Sequence, residues 1–252
     1  MKRFLIIFFL FFVFCMGFFS CKKDKSVGLD FGYNYFPDKV GTYVIYDVDS
    51  FYYDDFFFRT DTSKFQIKEK IHSIYLDNQN RPTIRLERYY KKYDVNIPYN
   101  LIPWQLIDVW VENKLDSHAE KVEENVRFVK LVFPIKESQT WNGNAQNTLA
   151  DWTYSYDFFD QARWVGGIHF DSVLQVNQYD DKGKFIQQRQ LYTEKYARNV
   201  GLVYKQVIDI KSQIPSTATP AQLQAFYAKP ILERATSGFK YTYTINSYGT
   251  EP

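Results

Sequence analysis

The side chains that most often bind metals are spread widely along this chain. His72, His118 and His169 lie far apart, and none has a second His or a Cys at metal-ligand spacing. A zinc site needs three or four such ligands. The spacing therefore predicts no metal site and no metal cofactor.

A short cluster of aspartates deserves comparison with a Ca²⁺ site, which takes six to eight oxygen ligands. The cluster comprises Asp47, Asp49, Asp54 and Asp55. A solvated strand face followed by a loop explains the same pattern, and we favour that interpretation. The segment Asp180-Asp181-Lys182-Gly183 is likewise interpreted first as a hairpin turn.

Residues for covalent catalysis are not arranged in any sequence motif. The chain has no G-x-S-x-G stretch, and both of its cysteines, Cys15 and Cys21, precede the body. Nucleophilic catalysis needs Ser or Cys beside a positioned base. Glycoside hydrolysis needs two carboxylates about 5 to 10 Å apart, which spacing cannot identify among 29 acidic residues. We predict no catalytic residues and no enzymatic activity.

Aromatic side chains are the remaining candidates for a binding site. They make up 19% of the chain, and the faces of Trp and Tyr can stack on sugar rings. An all-β core would use the same residues as cross-strand pairs, and a curved sheet could instead hold a lipid. The candidate ligand-stacking residues are Trp104, Trp110, Trp141, Trp152 and Trp164, with Tyr52, Tyr53, Tyr154 and Tyr156 beside them.

The charge balance argues against nucleic acid as a partner. The 31 basic residues include Lys2 and Arg3, which lie in a segment that we expect to be removed; the rest are 29 basic against 29 acidic residues. Nucleic-acid binding needs a clustered excess of Lys and Arg.

The first twenty-five residues have the plan of an export signal. Two basic residues precede an apolar run from Phe4 to Phe19, and Ser20-Cys21 and a polar stretch follow. The 16 residues of the run fall short of the roughly 20 that cross a bilayer. We expect a cleaved leader.

The end of the leader, Phe18-Phe19-Ser20-Cys21, resembles the lipobox of bacterial lipoprotein precursors. The resemblance implies a signal peptide at residues 1–20 and palmitate-type acylation of Cys21. Two or three acyl chains would attach the chain stably to a membrane. Lys22 stands where an Asp would imply inner-membrane retention, so the resemblance implies the outer membrane and leaves open which side the domain faces.

The body has the period-two pattern of β-strands. Turn residues predict two hairpins, the second with a positive φ at Gly183. Two further apolar runs, 104–111 and 127–133, are too short to assign as helices, and 117–125 fits a short helix or a hairpin tip. The predicted strands are 42–50, 65–75, 83–90, 170–178, 185–192, 202–210 and 239–245.

One helix is predicted at 221–229, with Thr219 as N-cap and Pro220 at its first position. The predicted organisation is a lipidated tether at residues 21–34 and a single mostly antiparallel β domain at 35–252, curved as a half-barrel or barrel.

Two patches of the body are similar to uncharacterised Gram-negative extracytoplasmic lipoproteins. They are Tyr35-Phe36-Pro37 with Gly41 and Tyr43, and Tyr196-Ala197 followed by Val200-Gly201-Leu202-Val203. The resemblance implies a curved antiparallel sheet, with Gly201 at a bulge or tight bend, and it brings no catalytic residue. We expect a non-catalytic binding or structural role in the cell envelope. Carbohydrate binding and lipid handling are the alternatives, and any protein partner is open.

Overall fold

The computed structural model describes residues 28–213 and 216–251, and its compact body begins at Phe31. The predicted leader, the lipobox and Cys21 lie outside the described residues. The first residues of the body, which the sequence assigned to the tether, bond to other parts of it. The Tyr33 hydroxyl donates to the Asp116 carbonyl at 3.0 Å, and Asn34 accepts from Arg198 at 2.8 Å.

Strands make up most of the described body, and all of them pair antiparallel in one sheet, which confirms the predicted all-β class. Aromatic and β-branched side chains favour such pleated, half-buried positions. The order across the sheet is β6-β5-β4-β3-β2-β1-β12-β11-β10-β9-β8-β7. The strands are β1 Thr42–Asp54, β2 Arg59–Leu76, β3 Pro82–Lys92, β4 Gln105–Lys114, β5 His118–Glu123, β6 Val126–Val132, β7 Thr140–Asn142, β8 Thr153–Val165, β9 Ile168–Asp180, β10 Gln188–Ala197, β11 Gly201–Lys211 and β12 Ser237–Thr250.

The two ends of the sheet meet, so that it forms a nearly closed barrel. The Val129 backbone N–H of β6 donates to the Gly143 carbonyl just after β7, at 2.9 Å. The Tyr156 hydroxyl accepts from the Val132 N–H at 2.9 Å and donates to the Val132 carbonyl at 2.8 Å. These bonds satisfy backbone groups that an open sheet edge would expose.

Both predicted hairpins are present. In the β2–β3 turn the Asp77 carboxylate accepts from the backbone of Gln79 and Arg81. In the β9–β10 turn Gly183 has a φ of +67° as predicted. Residues 185–187, predicted as strand, belong instead to this turn, and β10 begins at Gln188. Asp181 holds the wider turn by accepting from the N–H groups of Gly183 and Gln190.

The sequence did not predict β7 and β8, where the period-two pattern is short or interrupted. The register of β8 against β9 shifts three times, which interrupts alternation along the strand, and β7 has three residues. The segment 117–125, for which the sequence left a short helix or a hairpin tip open, contains β5 and the tight turn into β6, with positive φ at Glu124 and Asn125.

The described α-helix, α1, spans Pro220–Ala228, close to its predicted bounds. Thr219 and Gln222 form a reciprocal capping box at its start. None of its residues is buried. Within residues 28–213 and 216–251, no helix has the length and apolar character needed to cross a bilayer.

One buried apolar cluster surrounds Tyr46 and Val203, and another packs around the first residues of the compact body. Tyr35 is fully buried there with Leu131, Tyr154 and Leu174. Gly201, with a φ of +91°, starts β11 beside a register shift, as its predicted place at a bend requires. Elsewhere, Ile208 and Ile210 pack on the outer face under Ile231.

Candidate functional site

Charged side chains line the inside of the barrel, which we call the lumen. Four acids and four bases meet there, and every one of them is in an ion pair within the cluster. We call this set the lumen charge cluster. Its members are Glu69, Arg88, Glu112, Lys121, Glu123, Lys130, Glu194 and Lys205.

One half of the cluster crosses the lumen between opposite walls. Lys130 Nζ lies 2.9 Å from Glu123 Oε1 and 2.9 Å from Glu194 Oε1. Lys205 Nζ lies 2.9 Å from Glu123 Oε2 and 3.6 Å from Glu194 Oε1. The Tyr196 hydroxyl donates to Glu194 Oε2 at 2.6 Å. Buried charges are tolerated when they are paired and hydrogen-bonded in this way.

The other half surrounds Lys121. Its Nζ lies 2.8 Å from Glu69 Oε2 and 3.2 Å from Glu112 Oε1. Arg88 donates to Glu69 at 3.1 Å, and its guanidinium lies 3.5 Å from the centre of the Trp110 ring. Arginine stacked on an aromatic face gains a cation–π interaction and keeps its hydrogen-bonding edge free.

The carboxyl groups of the cluster differ in acidity. Burial raises the pKa of Glu123, but Lys130 and Lys205 outweigh it and hold this pKa well below its ordinary value. The same two lysines outweigh burial at Glu194 and lower its pKa. At Glu69, Lys121 and Arg88 together outweigh burial and lower the pKa in the same way.

Glu112 is the exception. Burial raises its pKa, Lys121 lowers it, and the nearby Glu69 raises it again, so that the net pKa is above the ordinary value. The cavity beside Glu112 has a volume of about 60 Å³. A water molecule occupies about 30 Å³ in the liquid, so this space suits water and is too small for a sugar ring.

Two larger cavities flank the cluster. The Trp152 cavity has a volume of about 430 Å³ and the Trp110 cavity about 400 Å³. Both are lined by Glu123, Lys205 and Tyr241. Their volumes fall in the range of about 300 to 1,000 Å³ that is usual for small-molecule sites.

β-Bulges direct two of the lumen residues inward. Tyr192 of β10 pairs with Tyr179 and Thr193 with Asn177, so Gln178 is the extra residue of β9. Lys130 is the extra residue of β6 in the same way. Bulges reorient side chains and are frequent beside functional sites. Gln178 lines the Trp152 cavity, and Lys130 joins the charge cluster.

The structure separates the five predicted stacking tryptophans. Trp152 and Trp110 line different cavities. Trp141 packs against Tyr154 and Tyr156 and donates to the Val129 carbonyl, which is a structural role at the closure of the barrel. Trp104 lies 5.2 Å from the ammonium of Lys91, and Trp164 is 72% exposed on the β8–β9 hairpin.

Of the four candidate tyrosines, Tyr154 also lines the Trp152 cavity. Tyr156 bonds Val132 at the closure, Tyr53 packs with Ile208 on the outer face, and Tyr52 is exposed.

The histidines and aspartates considered as metal ligands lie outside the lumen. His118 contacts Glu120, His169 contacts Asp171, and His72 contacts Ser73. In the parts of the chain that the structure describes, no three His, Cys, Asp or Glu side chains are arranged to hold a metal ion. Asp47 accepts from the amides of Gln66 and Asn246 as a strand-face residue would.

The lumen charge cluster was missed from the sequence. Its members are scattered among seven strands, and charged residues on a strand with a period-two pattern are ordinarily assigned to a solvated face. The signal that was available is a charged residue two positions from an apolar or aromatic one on the same strand, as with Glu69 and Ile71 or Arg88 and Tyr90, but it does not identify the partners.

Comparison with known proteins found no matching family model and no matching curated protein. Among solved structures, the chain is similar to a protein from Bacteroides fragilis that is described only provisionally as exported and has a YmcC-like fold, with 9% identity and a TM-score of 0.39 over 85% of this chain and 98% of that one. It is also similar to a protein from Parabacteroides distasonis that is described provisionally as a lipoprotein, with 9% identity and a TM-score of 0.32 over 86% of this chain and 98% of that one.

Proposed function

We propose that this chain is a lipid-anchored protein of the cell envelope, attached to the outer membrane through Cys21, whose barrel-like domain has a non-catalytic role in ligand binding. The observation that carries the binding role is the pair of cavities, about 430 and 400 Å³, that flank a charged lumen. The anchor rests on the leader and lipobox-like residues of the sequence.

The chemistry of the lumen supports binding over catalysis. Glu69, Glu123 and Glu194 are held ionised by neighbouring lysine and arginine, so none carries a proton to donate near neutral pH. Burial raises the pKa of Glu112, but the space that this carboxyl borders is too small for a substrate.

The same chemistry favours a polar ligand over a lipid tail. A site for an acyl chain should be deep, apolar and uncharged, whereas both large cavities contain Glu123 and Lys205. An acyl chain packed against these charged groups would shield them from solvent without supplying a hydrogen bond, which is unfavourable. Carbohydrate binding is therefore preferred to lipid handling.

The anchor is tested in cells. The full-length chain is expressed in a Gram-negative host with an alkyne analogue of palmitate, and membranes are fractionated. We expect label on the wild type, and loss of both label and outer-membrane fractionation in Cys21→Ala. Equal membrane retention of an unlabelled Cys21→Ala chain would overturn the anchor.

The binding role is tested on the full-length chain purified in detergent. Thermal unfolding is followed with neutral saccharides, acidic saccharides and palmitate as probes. At least one class should raise Tm, because a ligand that binds the folded state alone stabilises it. Ala150 lines the Trp152 cavity and is exposed at its rim, so Ala150→Trp should abolish the shift.

Ala145→Trp is the matched control, since Ala145 is also exposed in the same loop and does not line the cavity. The binding role fails if no class of probe raises Tm, or if the two variants respond alike.

A further inference from the structure

We infer that the Trp152 cavity binds a neutral saccharide, with a sugar ring against its aromatic wall and an oxygen of the sugar accepting from the Gln178 side chain. This inference rests on the proposed binding function and names its ligand class. It is carried by three features of the cavity: an unpartnered amide, a compensated set of charges and a fixed aromatic wall.

The amide of Gln178 requires a partner that the protein does not supply. The side chain is 4% exposed, and its Nε2 has no hydrogen-bond partner. Among the described residues, the other buried side-chain atom in this situation is Gln139 Oε1, which lies away from the cavity. Buried polar groups without a partner are rare in folded proteins and need a specific explanation.

The bulge in β9 sets the position of Gln178 at the cavity. Without the extra residue, regular alternation would not place Gln178 and Tyr179 on the same side as Tyr192. Gln178 lines the cavity, and Tyr179 stacks on Trp152, with ring centres 4.8 Å apart and an angle of 24° between the rings.

Trp152 is held rigidly as part of the cavity wall. Tyr179 covers it by stacking, and Tyr192 meets it edge-on at 4.8 Å. Tyr192 is itself fixed, because its hydroxyl donates to Asp209 at 2.8 Å. A rigid aromatic wall offers a large apolar surface at a low entropic cost of binding.

The charges at the cavity favour a neutral ligand. Glu123, Lys130 and Lys205 line it, and each already has an ion-pair partner within 2.9 Å. With Glu194 they form two acids and two bases that compensate one another. An ionic ligand would have to displace one of these contacts, whereas hydroxyl groups can bond to the edge of the cluster without breaking it.

The ligand must supply an acceptor for the Gln178 amide and an apolar face for the aromatic wall, and it must carry no net charge. A sugar ring meets these three requirements. Sugars have apolar C–H faces and carry hydroxyl oxygens that accept and donate hydrogen bonds. The acyl chain of a fatty acid could pack against the aromatic wall. Its only acceptor for the Gln178 amide is the terminal carboxylate, which would bring an uncompensated charge.

The test uses the full-length chain purified in detergent. Isothermal titration calorimetry is performed with glucose, galactose, mannose, N-acetylglucosamine, maltose and cellobiose, with glucuronate and palmitate as comparison probes. At least one neutral saccharide should bind more tightly than both comparison probes. Because the ligand is uncharged, its Kd should change less than about twofold between roughly 0.05 and 0.5 M salt.

Two variants with matched controls locate the site. Gln178→Leu should weaken saccharide binding by about tenfold or more, because the donor is lost, and Trp152→Leu should do the same. Gln139→Leu and Trp164→Leu should leave the Kd unchanged. Gln178→Leu should also raise the Tm of the ligand-free chain by about 2 to 4 °C, since it removes a buried amide without a partner.

This combination distinguishes a ligand site from a structural one. Glucuronate or palmitate binding in preference to every neutral saccharide, with the same dependence on Gln178 and Trp152, overturns the ligand class and leaves the proposed binding function standing. Saccharide binding that is as strong in Gln178→Leu and Trp152→Leu as in the wild type overturns the site. Failure of all probes overturns both proposals.

Discussion

Lys130 Nζ lies 2.9 Å from Glu194 Oε1, although seven strands of the described sheet separate β6 from β10. A direct contact between such distant strands requires the sheet to curl until its two faces become an inside and an outside. The pair is 3% and 1% exposed. It is therefore part of what holds the lumen in its shape, and its energetics can be measured.

Removing Lys130 should strongly destabilise the chain. In Lys130→Met the carboxylates of Glu123 and Glu194 keep only Lys205 as a shared partner, and breaking a buried ion pair from one side typically costs about 3 to 5 kcal/mol. The free energy of unfolding in urea measures the loss. Lys64→Met is the control: its pair with Asp49 is exposed, so the cost should stay below about 1 kcal/mol. Equal losses in the two variants would refute a special role for the lumen pair.

The lumen acids should make the chain sensitive to acid. Glu123 has a folded-state pKa well below its unfolded value of about 4.3. A carboxyl with a depressed pKa contributes stability that is present above the unfolded value and is lost as the pH falls through the folded one. The free energy of unfolding should therefore fall below about pH 4.3, and Glu123→Gln should reduce this slope. An unchanged slope in the variant would contradict the assignment.

Glu112 should behave in the opposite sense. Its folded-state pKa is raised, so the ionised carboxylate costs stability above that pKa, and the cost disappears as the pH falls and the group is protonated. Glu112→Gln is therefore expected to stabilise the chain at pH 7 and to have little effect at low pH. Parallel urea titrations of the wild type and the variant at several pH values test this. Destabilisation of the variant at pH 7 would show that the contact with Lys121 dominates.

The Tyr156 hydroxyl should be needed for closure of the barrel. In Tyr156→Phe both the N–H and the carbonyl of Val132 lose their bond to this hydroxyl, at a cost of about 1 to 3 kcal/mol for buried groups left without a partner. Hydrogen exchange should accelerate at the Val132 amide more than at amides in the middle of the sheet. Tyr227→Phe, at an exposed hydroxyl, provides the control. Uniform exchange across the sheet would mean that the closure does not depend on this bond.

Gly143 should tolerate no side chain. An added Cβ would lie 2.2 Å from the Tyr154 ring. The backbone of Gly143 cannot move away freely, because its carbonyl accepts from the Val129 N–H and its N–H donates to the Trp152 carbonyl. Gly143→Ala must push Tyr154 or open the closure, and we expect a loss of about 1 to 3 kcal/mol, as for other overpacked sites. Combining it with Tyr154→Leu, which makes room, should recover part of the loss in urea unfolding. Additive losses in the double variant would place the strain elsewhere.

The sequence by itself determined the β class, both hairpins and the capped helix. Strand alternation, turn residues such as Gly183 and the Thr219 cap act over a few neighbouring residues, so their signals can be read locally. The anchor at Cys21 also rests on local sequence, and it remains a prediction because that segment lies outside the described residues.

Only the tertiary structure decided what the lumen contains. Alternation separates Val207 from Ile208 but does not say which of them faces inward; Val207 lines the Trp152 cavity, and Ile208 packs outside under Ile231. Bulges add one residue to a strand and reverse its parity, as at Lys130 and Gln178. The pairing of Lys130 with Glu194 depends on how far the whole sheet curls. That curvature sums small twists over many strands, and no short stretch of sequence contains it.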